Sequence, residues 1–243
     1  MSVDSVKLGS TSVKLGSTSV KLIALVYNCS SIISRTLESY KGKVDAFHIF
    51  IDEKSDVDTK RKVKDFCKMY DYAECEEIKF TTFDDTRNRC LEKAFDGNIR
   101  WIMFVDDSYI LNGTLDALKH YGCYDVLNVL VKDEHIAYKR PLLFKMHKKY
   151  RYTGKIHEKL ILESDTCITD ISGCFIYDYK DEYSINRSLS RAMYMIQNTD
   201  DEHYRSIGYL QLLITGEIDF DAFNKHFKCR CKKCVSILRE YFV

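Results

Sequence analysis

The stretch Ile99-Arg100-Trp101-Ile102-Met103-Phe104-Val105-Asp106-Asp107-Ser108 decides the fold class. Six of its first seven residues are apolar, with no strict alternation. Such a run suits a strand buried on both faces, as in a parallel sheet covered by helices. It stops abruptly at two carboxylates. In open α/β sheets, ligands bind outside the carboxyl ends of the strands. Acids placed there suit a divalent cation bridging to a phosphate, because hard cations take oxygen ligands. They would equally suit caps of the following loop or helix.

Upstream of this stretch, strand-like and helix-like segments alternate. Val20 to Tyr27 reads as a first strand, followed by the polar turn Asn28-Cys29-Ser30-Ser31 as an N-cap region. A helix from Ile32 to Tyr40 presents Ile33, Leu37 and Tyr40 on one face and ends at Gly42. Val44 to Ile51 is a second strand that runs into Asp52-Glu53-Lys54-Ser55-Asp56. An acid after the second strand is where nucleotide-binding α/β folds hold a base or ribose. Val57 to Tyr70 is helical, with Val63, Phe66, Cys67 and Tyr70 on one face, and Glu77 to Phe80 is a short third strand. Phe83 opens a helix capped by Asp84 or Asp85, with Cys90, Leu91, Ala94 and Phe95 as its buried stripe. Arg87 lies near its start, where the helix dipole disfavours a cation; the placement suits a partner such as a phosphate, and equally an exposed Arg at a cost of about a few tenths of a kcal/mol.

Downstream, a helix is expected from Thr114 to Tyr121, and strands at Val126–Val131, Ile136–Phe144 and Ile168–Tyr177. From Glu182 the pattern is helical to the end. The alternation specifies an α/β fold. Three segments follow: a flexible arm at 1–19, an α/β domain at 20–181 and a helical extension at 182–243. The arm contains Ser-Val-Lys-Leu-Gly-Ser-Thr twice, and a third copy runs into the first strand. Its Gly-Ser-Thr content argues against a coiled coil and for flexibility, while a small arm that pairs with a neighbouring copy stays open.

Composition removes several classes. Lys plus Arg number 37 and Asp plus Glu 36, so nothing marks the whole chain for nucleic acid. No apolar run reaches the roughly 18 residues of a transmembrane helix, and the first residues lack the pattern of a signal peptide. Ten cysteines scattered through an α/β pattern are expected to be reduced, in a cytoplasmic compartment. Near the end, His226, Cys229, Cys231 and Cys234 have partial zinc-knuckle spacing, but the same segment reads as a helix that would spread these ligands round its circumference.

Several segments, in order, resemble glycosyltransferase family 2, specifically bacterial-type members related to lipopolysaccharide-core glucosyltransferases. Val26-Tyr27-Asn28 is similar to the family's Val-x-Asn at the end of the first strand. Ile51-Asp52-Glu53-Lys54-Ser55-Asp56 is a looser match to Val-Asp-x-Gly-Ser-x-Asp. Phe83 to Leu91 resembles Phe-x-x-x-Arg-Asn-x-x-Leu, and Trp101 to Ser108 resembles Trp-Ile-x-x-Leu-Asp-x-Asp. Arg140-Pro141-Leu142-Leu143-Phe144 and Tyr150 to Glu158 are similar to Arg-x-x-Leu-Phe and Tyr-x-x-x-Gly-x-Ile-His-Glu.

The resemblance implies a GT-A fold: a Rossmann-like mixed sheet flanked by helices. It implies inverting transfer of a sugar from a nucleotide diphosphate sugar, most often uridine diphosphate-linked, with Mn²⁺ or Mg²⁺. It also implies that Asp106 holds the metal, with Asp107, Ser108 and Asp178 as further candidates. Val26, Asn28 and Asp52 would bind the nucleoside. Arg87 would orient the diphosphate or hold the Asp106 loop. Glu158 would act as base, and His157 as a ligand or phosphate contact. The acceptor class stays open among glycan, lipid-linked sugar and protein, as do peripheral membrane contact and self-association. Two departures stand out: the second metal Asp of the family falls on Ser108, and a family His falls near Asp178. They motivate a competing expectation, a domain that binds a sugar nucleotide or a partner without turnover.

Overall fold

The computed structural model describes residues 18–133, 137–146, 150–154 and 159–179, together with single helical positions at 193, 196, 208, 209, 212, 222 and 225. The repeats at 1–17, most of the 182–243 extension with its Cys/His tail, and His157 and Glu158 lie outside the described residues.

Four strands and three helices alternate through the first half. They are β1 (Val20–Val26), α1 (Ile33–Tyr40), β2 (Ala46–Asp52), α2 (Val57–Met69), β3 (Ala73–Ile78), α3 (Phe83–Ala94) and β4 (Trp101–Asp106). β3, β2, β1 and β4 are neighbours in that order, and every pair is parallel. The apolar runs of β1 and β4 are buried on both faces, as the sequence predicts. Leu22, Ala24 and Val26 with Trp101, Met103 and Val105 pack under α1 and α2. Ile23 with Ile102 and Phe104 packs under α3.

The second half contributes β5 (Tyr109–Gly113), a 3-10 helix (Asp116–His120), β6 (Val126–Lys132), β7 (Ala137–Lys145), the hairpin β8 (Arg151–Thr153) with β9 (Lys159–Ile161), and β10 (Ile168–Asp178). The eight-stranded sheet runs β3-β2-β1-β4-β7-β6-β10-β5. β7 is antiparallel to both β4 and β6, and β5 is antiparallel to β10. The result is an α/β mixed sheet flanked by helices.

Only Asp107 and Ser108 separate β4 from β5, yet three strands lie between them in the sheet. In a flat sheet β5 would be about 19 Å away, at four spacings of ~4.8 Å. Three Cα steps reach only ~11 Å. The sheet must therefore curl, which brings β5 against α1: Tyr40 donates its hydroxyl hydrogen to the Tyr109 carbonyl at 3.0 Å. The curl is made in β10. Its pairing with β6 breaks between Asp170 and Phe175, and Gly173 in that break has a positive φ of 85°.

Several local expectations shift. The third strand is Ala73–Ile78 rather than Glu77–Phe80. It is an edge strand whose glutamates pair sideways, Glu74 with Lys21 and His48, and Glu76 with Lys93, so its charges belong in the strand. The α3 cap is Thr82, whose hydroxyl accepts from the Asp85 N–H; Asp84 and Asp85 lie inside the first turn. In that helix Thr86, Arg87, Cys90 and Ala94 are buried while Phe95 is exposed. α1 has no side-chain cap; the Cys29 carbonyl accepts from the N–H groups of Ile32 and Ile33 instead. The expected helix at Thr114–Tyr121 is the shorter 3-10 turn, and β5 has no counterpart in the sequence reading.

Gly113 closes the curl, with φ at 84° and no room for a Cβ, which would overlap the Gly173 carbonyl oxygen. Gly113→Ala should cost roughly 3 kcal/mol, combining left-handed strain with overpacking. That corresponds to a fall of about 6–12 °C in Tm. An unchanged melting curve would show that this contact does not hold the sheet closed.

Candidate active site at the end of the central strand

Strand alternation sets the site. Ile102, Phe104 and Asp106 share one face of β4, the face covered by α3. On α3, Arg87 lies in the buried stripe with Cys90 and Ala94. A guanidinium in a stripe facing a sheet requires a counter-charge, because burying an unpaired ion is costly. Asp106 supplies it: Arg87 Nη2 donates to Asp106 Oδ1. The guanidinium also lies over two rings, 4.6 Å from the centroid of Phe104 and 5.3 Å from that of Tyr152.

The other carboxylate oxygen is also engaged. Arg140 of β7 donates from Nη1 to Asp106 Oδ2 at 2.9 Å and to the Tyr109 hydroxyl oxygen at 2.6 Å. Tyr109 is buried, and its hydroxyl stands 3.4 Å from that of Tyr138. Burial pushes the phenols of Tyr40, Tyr109 and Tyr138 upward, and the Asp106 carboxylate adds to the rise in each; Arg140 opposes it at Tyr109 and Tyr138. All three stay neutral and hydrogen-bonding around neutral pH.

The remaining metal candidates follow Asp106 in a tight turn. The Asp107 side chain is buried and its carbonyl accepts from Thr36 Oγ1 at 2.8 Å. Ser108 Oγ donates to Asp178 Oδ1 at 2.7 Å, and Tyr179 N–H donates to the Ser108 carbonyl at 3.1 Å. Asp106, Ser108 and Asp178 are thus gathered at one end of the sheet. As arranged, they do not fit a hard dication. Both Asp106 oxygens face guanidinium groups. Among the described residues no three His, Cys, Asp or Glu side chains converge as a metal site.

The nucleoside candidates lie at the same end of the sheet. Val26 pairs with Ile51, and Leu25 pairs with Asp106. Asp52 and Asp106 therefore end strands two spacings apart, about 10 Å. Asp52 is buried; its Oδ1 accepts from Lys54 N–H at 2.9 Å and its carbonyl accepts from Ser55 N–H at 2.8 Å. Asn28, at φ 45°, accepts the Asp56 N–H on Oδ1 at 2.7 Å. The Val26 carbonyl accepts from Ser55 Oγ at 3.4 Å. These contacts fix the loop after β1 to the start of α2, where Asp56 caps the helix and holds its carboxyl below the usual range through Thr59.

Asn88 was visible only as part of a motif, and the structure gives it a task. Its amide donates to the Tyr152 carbonyl at 3.0 Å and accepts the Tyr152 N–H at 2.7 Å. Asp84 accepts the Gly154 N–H at 3.0 Å. α3 thereby fixes β8, and a cleft of about 400 Å³ opens between them, lined by Asp84, Asp85, Arg151 and Ile161 among others. Arg140, Tyr109 and Tyr152 were not assigned to the site from sequence. Arg140 does carry a signal: it stands in a strand beside the chain's single proline.

No protein-family model and no curated protein matches the chain. Among solved structures, S. aureus TarS 1-349 is similar at 15% identity and a TM-score of 0.44, over 81% of this chain and 72% of that one. The 4-diphosphocytidyl-2C-methyl-D-erythritol synthase from Anaerococcus prevotii DSM 20548 is similar at 11% identity and a TM-score of 0.38, over 92% and 95%. At these values neither bears on the assignment of any residue.

Asp106 serves the fold as well as the site, so its removal is not structurally silent. Asp106→Ala takes the Asp106 carboxylate away from the buried Arg87 guanidinium and should cost about 2–3 kcal/mol, reduced from the fully buried case because the carboxylate is 33% exposed. Arg140→Met, at a side chain 25% exposed, should cost about 1 kcal/mol or less. Urea denaturation of both variants checks the order. Equal midpoints would remove the structural role of Asp106.

Proposed function

We propose that the chain is an inverting glycosyltransferase that moves a sugar from a nucleotide diphosphate sugar, uridine-linked in the first instance, to an acceptor hydroxyl. One observation carries this reading: a carboxylate and two guanidinium groups meet at the carboxyl end of the central parallel strand, about 12 Å from the acid that ends β2, two strand spacings across and two residues along. That is the crevice where open α/β sheets bind nucleotides. Asp52 would accept from the uracil or ribose, and Asn28 and Val26 would shape the loop over the base.

In the reaction proposed, the acceptor oxygen attacks the anomeric carbon and forms the new glycosidic bond. The bond from that carbon to the diphosphate oxygen breaks, and the leaving group departs as the nucleoside diphosphate. Its developing charge needs fixed cations. The acceptor proton passes to a base. Glu158 is proposed for that role, with His157 as a phosphate contact; both follow Gly154, which α3 holds through Asp84.

The engaged state of Asp106 and the Ser108–Asp178 pair favour a second reading, a domain that binds a sugar nucleotide without turnover. Both readings share a first test, a thermal-shift titration with uridine, guanosine and cytidine diphosphates, with and without Mn²⁺. A ligand at about 100 times its Kd stabilises by about 2.7 kcal/mol, or roughly 5–11 °C. A shift with uridine diphosphate is expected. No shift with any of the three would overturn both readings. A shift without sugar release or transfer, across a panel of donors and acceptors, would leave only the second.

A further inference from the structure

We infer that Cys67 of α2 and Cys75 of β3 form a redox pair, a dithiol that a hydroperoxide closes to an intramolecular disulfide. This modification site is independent of the nucleotide reading.

The geometry begins in the connection between α2 and β3. The helix ends at Met69 and the strand starts at Ala73, whose N–H donates to the Tyr70 carbonyl at 3.0 Å. The Phe47 N–H of β2 donates to the Tyr72 carbonyl at 2.9 Å, and the rings of Tyr70 and Tyr72 lie 5.6 Å apart. The chain therefore reverses in a pinned turn, and β3 runs back along α2. Strand alternation puts Ala73, Cys75 and Glu77 on one face of β3. That face meets α2, because Glu77 accepts from Lys60 Nζ at 2.9 Å and from Lys64 Nζ at 2.8 Å. On α2, Lys60, Lys64 and Cys67 follow at i, i+4 and i+7 and share a stripe. Lys64 is thus set against Glu77, and Cys67 against Cys75 one step nearer the turn. The two cysteines stand at similar heights above that turn: three helical residues from Tyr70, about 4.5 Å, and two strand residues from Ala73, about 7 Å. Both pack against the core beneath the helix, and both are partly exposed free thiols.

Two neighbouring thiols suit a soft metal or a disulfide. A metal needs further ligands, and among the described residues no three His, Cys, Asp or Glu side chains converge. A disulfide needs a thiolate, access and a second sulfur within reach. Hydrogen bonding from the Cys67 thiol and the charge of Lys64 bring the Cys75 thiol down to about 7, against burial and the Glu77 carboxylate. The same hydrogen bond, with burial, raises the Cys67 thiol. Cys75 is therefore the attacking sulfur and Cys67 the resolving one. Cys90 and Cys174 differ, because burial pushes their thiols up to about 12 and about 11.

The Cys75 thiolate attacks one oxygen of the hydroperoxide. A sulfur–oxygen bond forms, the oxygen–oxygen bond breaks, and the other oxygen leaves as water or alcohol with a proton from solvent. Cys75 is then a sulfenic acid. The Cys67 sulfur attacks the Cys75 sulfur; the disulfide bond forms, the sulfur–oxygen bond breaks, and the hydroxyl leaves as water with the Cys67 proton. Two thiols are oxidised by two electrons and one peroxide is reduced. The link joins the edge strand β3 to the helix that covers it, and an added dithiol reverses it by exchange.

Peptide mapping of the full-length chain tests this. Reduced protein is treated with hydrogen peroxide, alkylated at its remaining thiols and digested with trypsin without reductant. Cleavage after Lys64, Lys68 and Lys79 puts Cys67 and Cys75 on separate peptides, 65–68 and 69–79. The oxidised chain should give these two joined, lighter by two hydrogens than their sum, and dithiothreitol should separate them. Cys75→Ser should abolish the joined pair. Cys67→Ser should leave a sulfenic acid at Cys75 that dimedone captures. Recovery of both peptides alkylated, under peroxide that oxidises the exposed Cys123 and Cys167, would overturn the redox pair. So would joined peptides found only in covalent dimers on a non-reducing gel. An equal yield from the urea-unfolded chain would show that the fold does not pair these two among its ten cysteines, and would overturn it as well. Dimedone capture at Cys67 in Cys75→Ser, without capture at Cys75 in Cys67→Ser, would overturn the assignment of the attacking sulfur.

Discussion

A carboxylate at the end of a buried strand must be hydrated or paired, and at Asp106 it is paired from both sides. That pairing links parts of the chain that are distant in sequence. Arg87 comes from the helix that covers one face of β4, and Arg140 comes from the antiparallel strand beside it. Removing Asp106 would take a carboxylate away from the buried Arg87. Removing Arg87 would take away the cation that lies over the Phe104 and Tyr152 rings. The pair therefore registers α3 against β4 and, through Tyr152, against the β8 hairpin. Apolar packing supplies most of the stabilisation, as it does in any domain of this size. It does not by itself fix the angle and position of a helix on a sheet, whereas a charged contact with one permitted geometry does.

The second constraint is the short link after Asp106. Two residues connect the centre of the sheet to its far edge, so curl and site are one feature. The same turn that sends the chain to β5 also places Ser108 against Asp178 and Tyr109 under Arg140. A longer loop would relax the curl and release Tyr109 from the arginine. The glycines at 113 and 173 belong to this arrangement, since their left-handed backbone allows β5 and β10 to close on each other.

How far the sequence foretold this depends on what each signal measures. The buried parallel strands were legible because a short, unbroken apolar run suits few elements besides a strand covered on both faces, and Trp101–Val105 is such a run. β3 was misplaced because its glutamates look like loop; an edge strand beside Lys21, His48 and Lys93 can carry them. β5 was missed because five residues after a tight turn have no periodicity of their own, and their place is set by the curl. In the site, Asp106 and Arg87 both stood out in the sequence, and holding the Asp106 loop was one of two roles open to Arg87. The contact itself depends on Arg87 lying in the Cys90–Ala94 stripe, which the phase of the helix decides. The aim of Arg140 was out of reach although the residue stands beside the single proline, because that aim depends on a bulge and a register slip carries no single-residue signature.

Pro141 shows why such a signal stays hidden. A lone proline in a strand-like run argues against a central strand, yet β7 lies between β4 and β6. The conflict is resolved locally, because the missing N–H falls where the ladder with β6 slips and the ladder with β4 has ended. Local rule-breaking of this kind tends to mark functional positions, since a strained or irregular strand persists only where something else holds it. What holds it here is Arg140, tied to Asp106 and Tyr109. The irregularity and the arginine thus depend on each other. The bulge turns the guanidinium toward the end of β4, and the ion pair keeps the bulge from sliding into regular register.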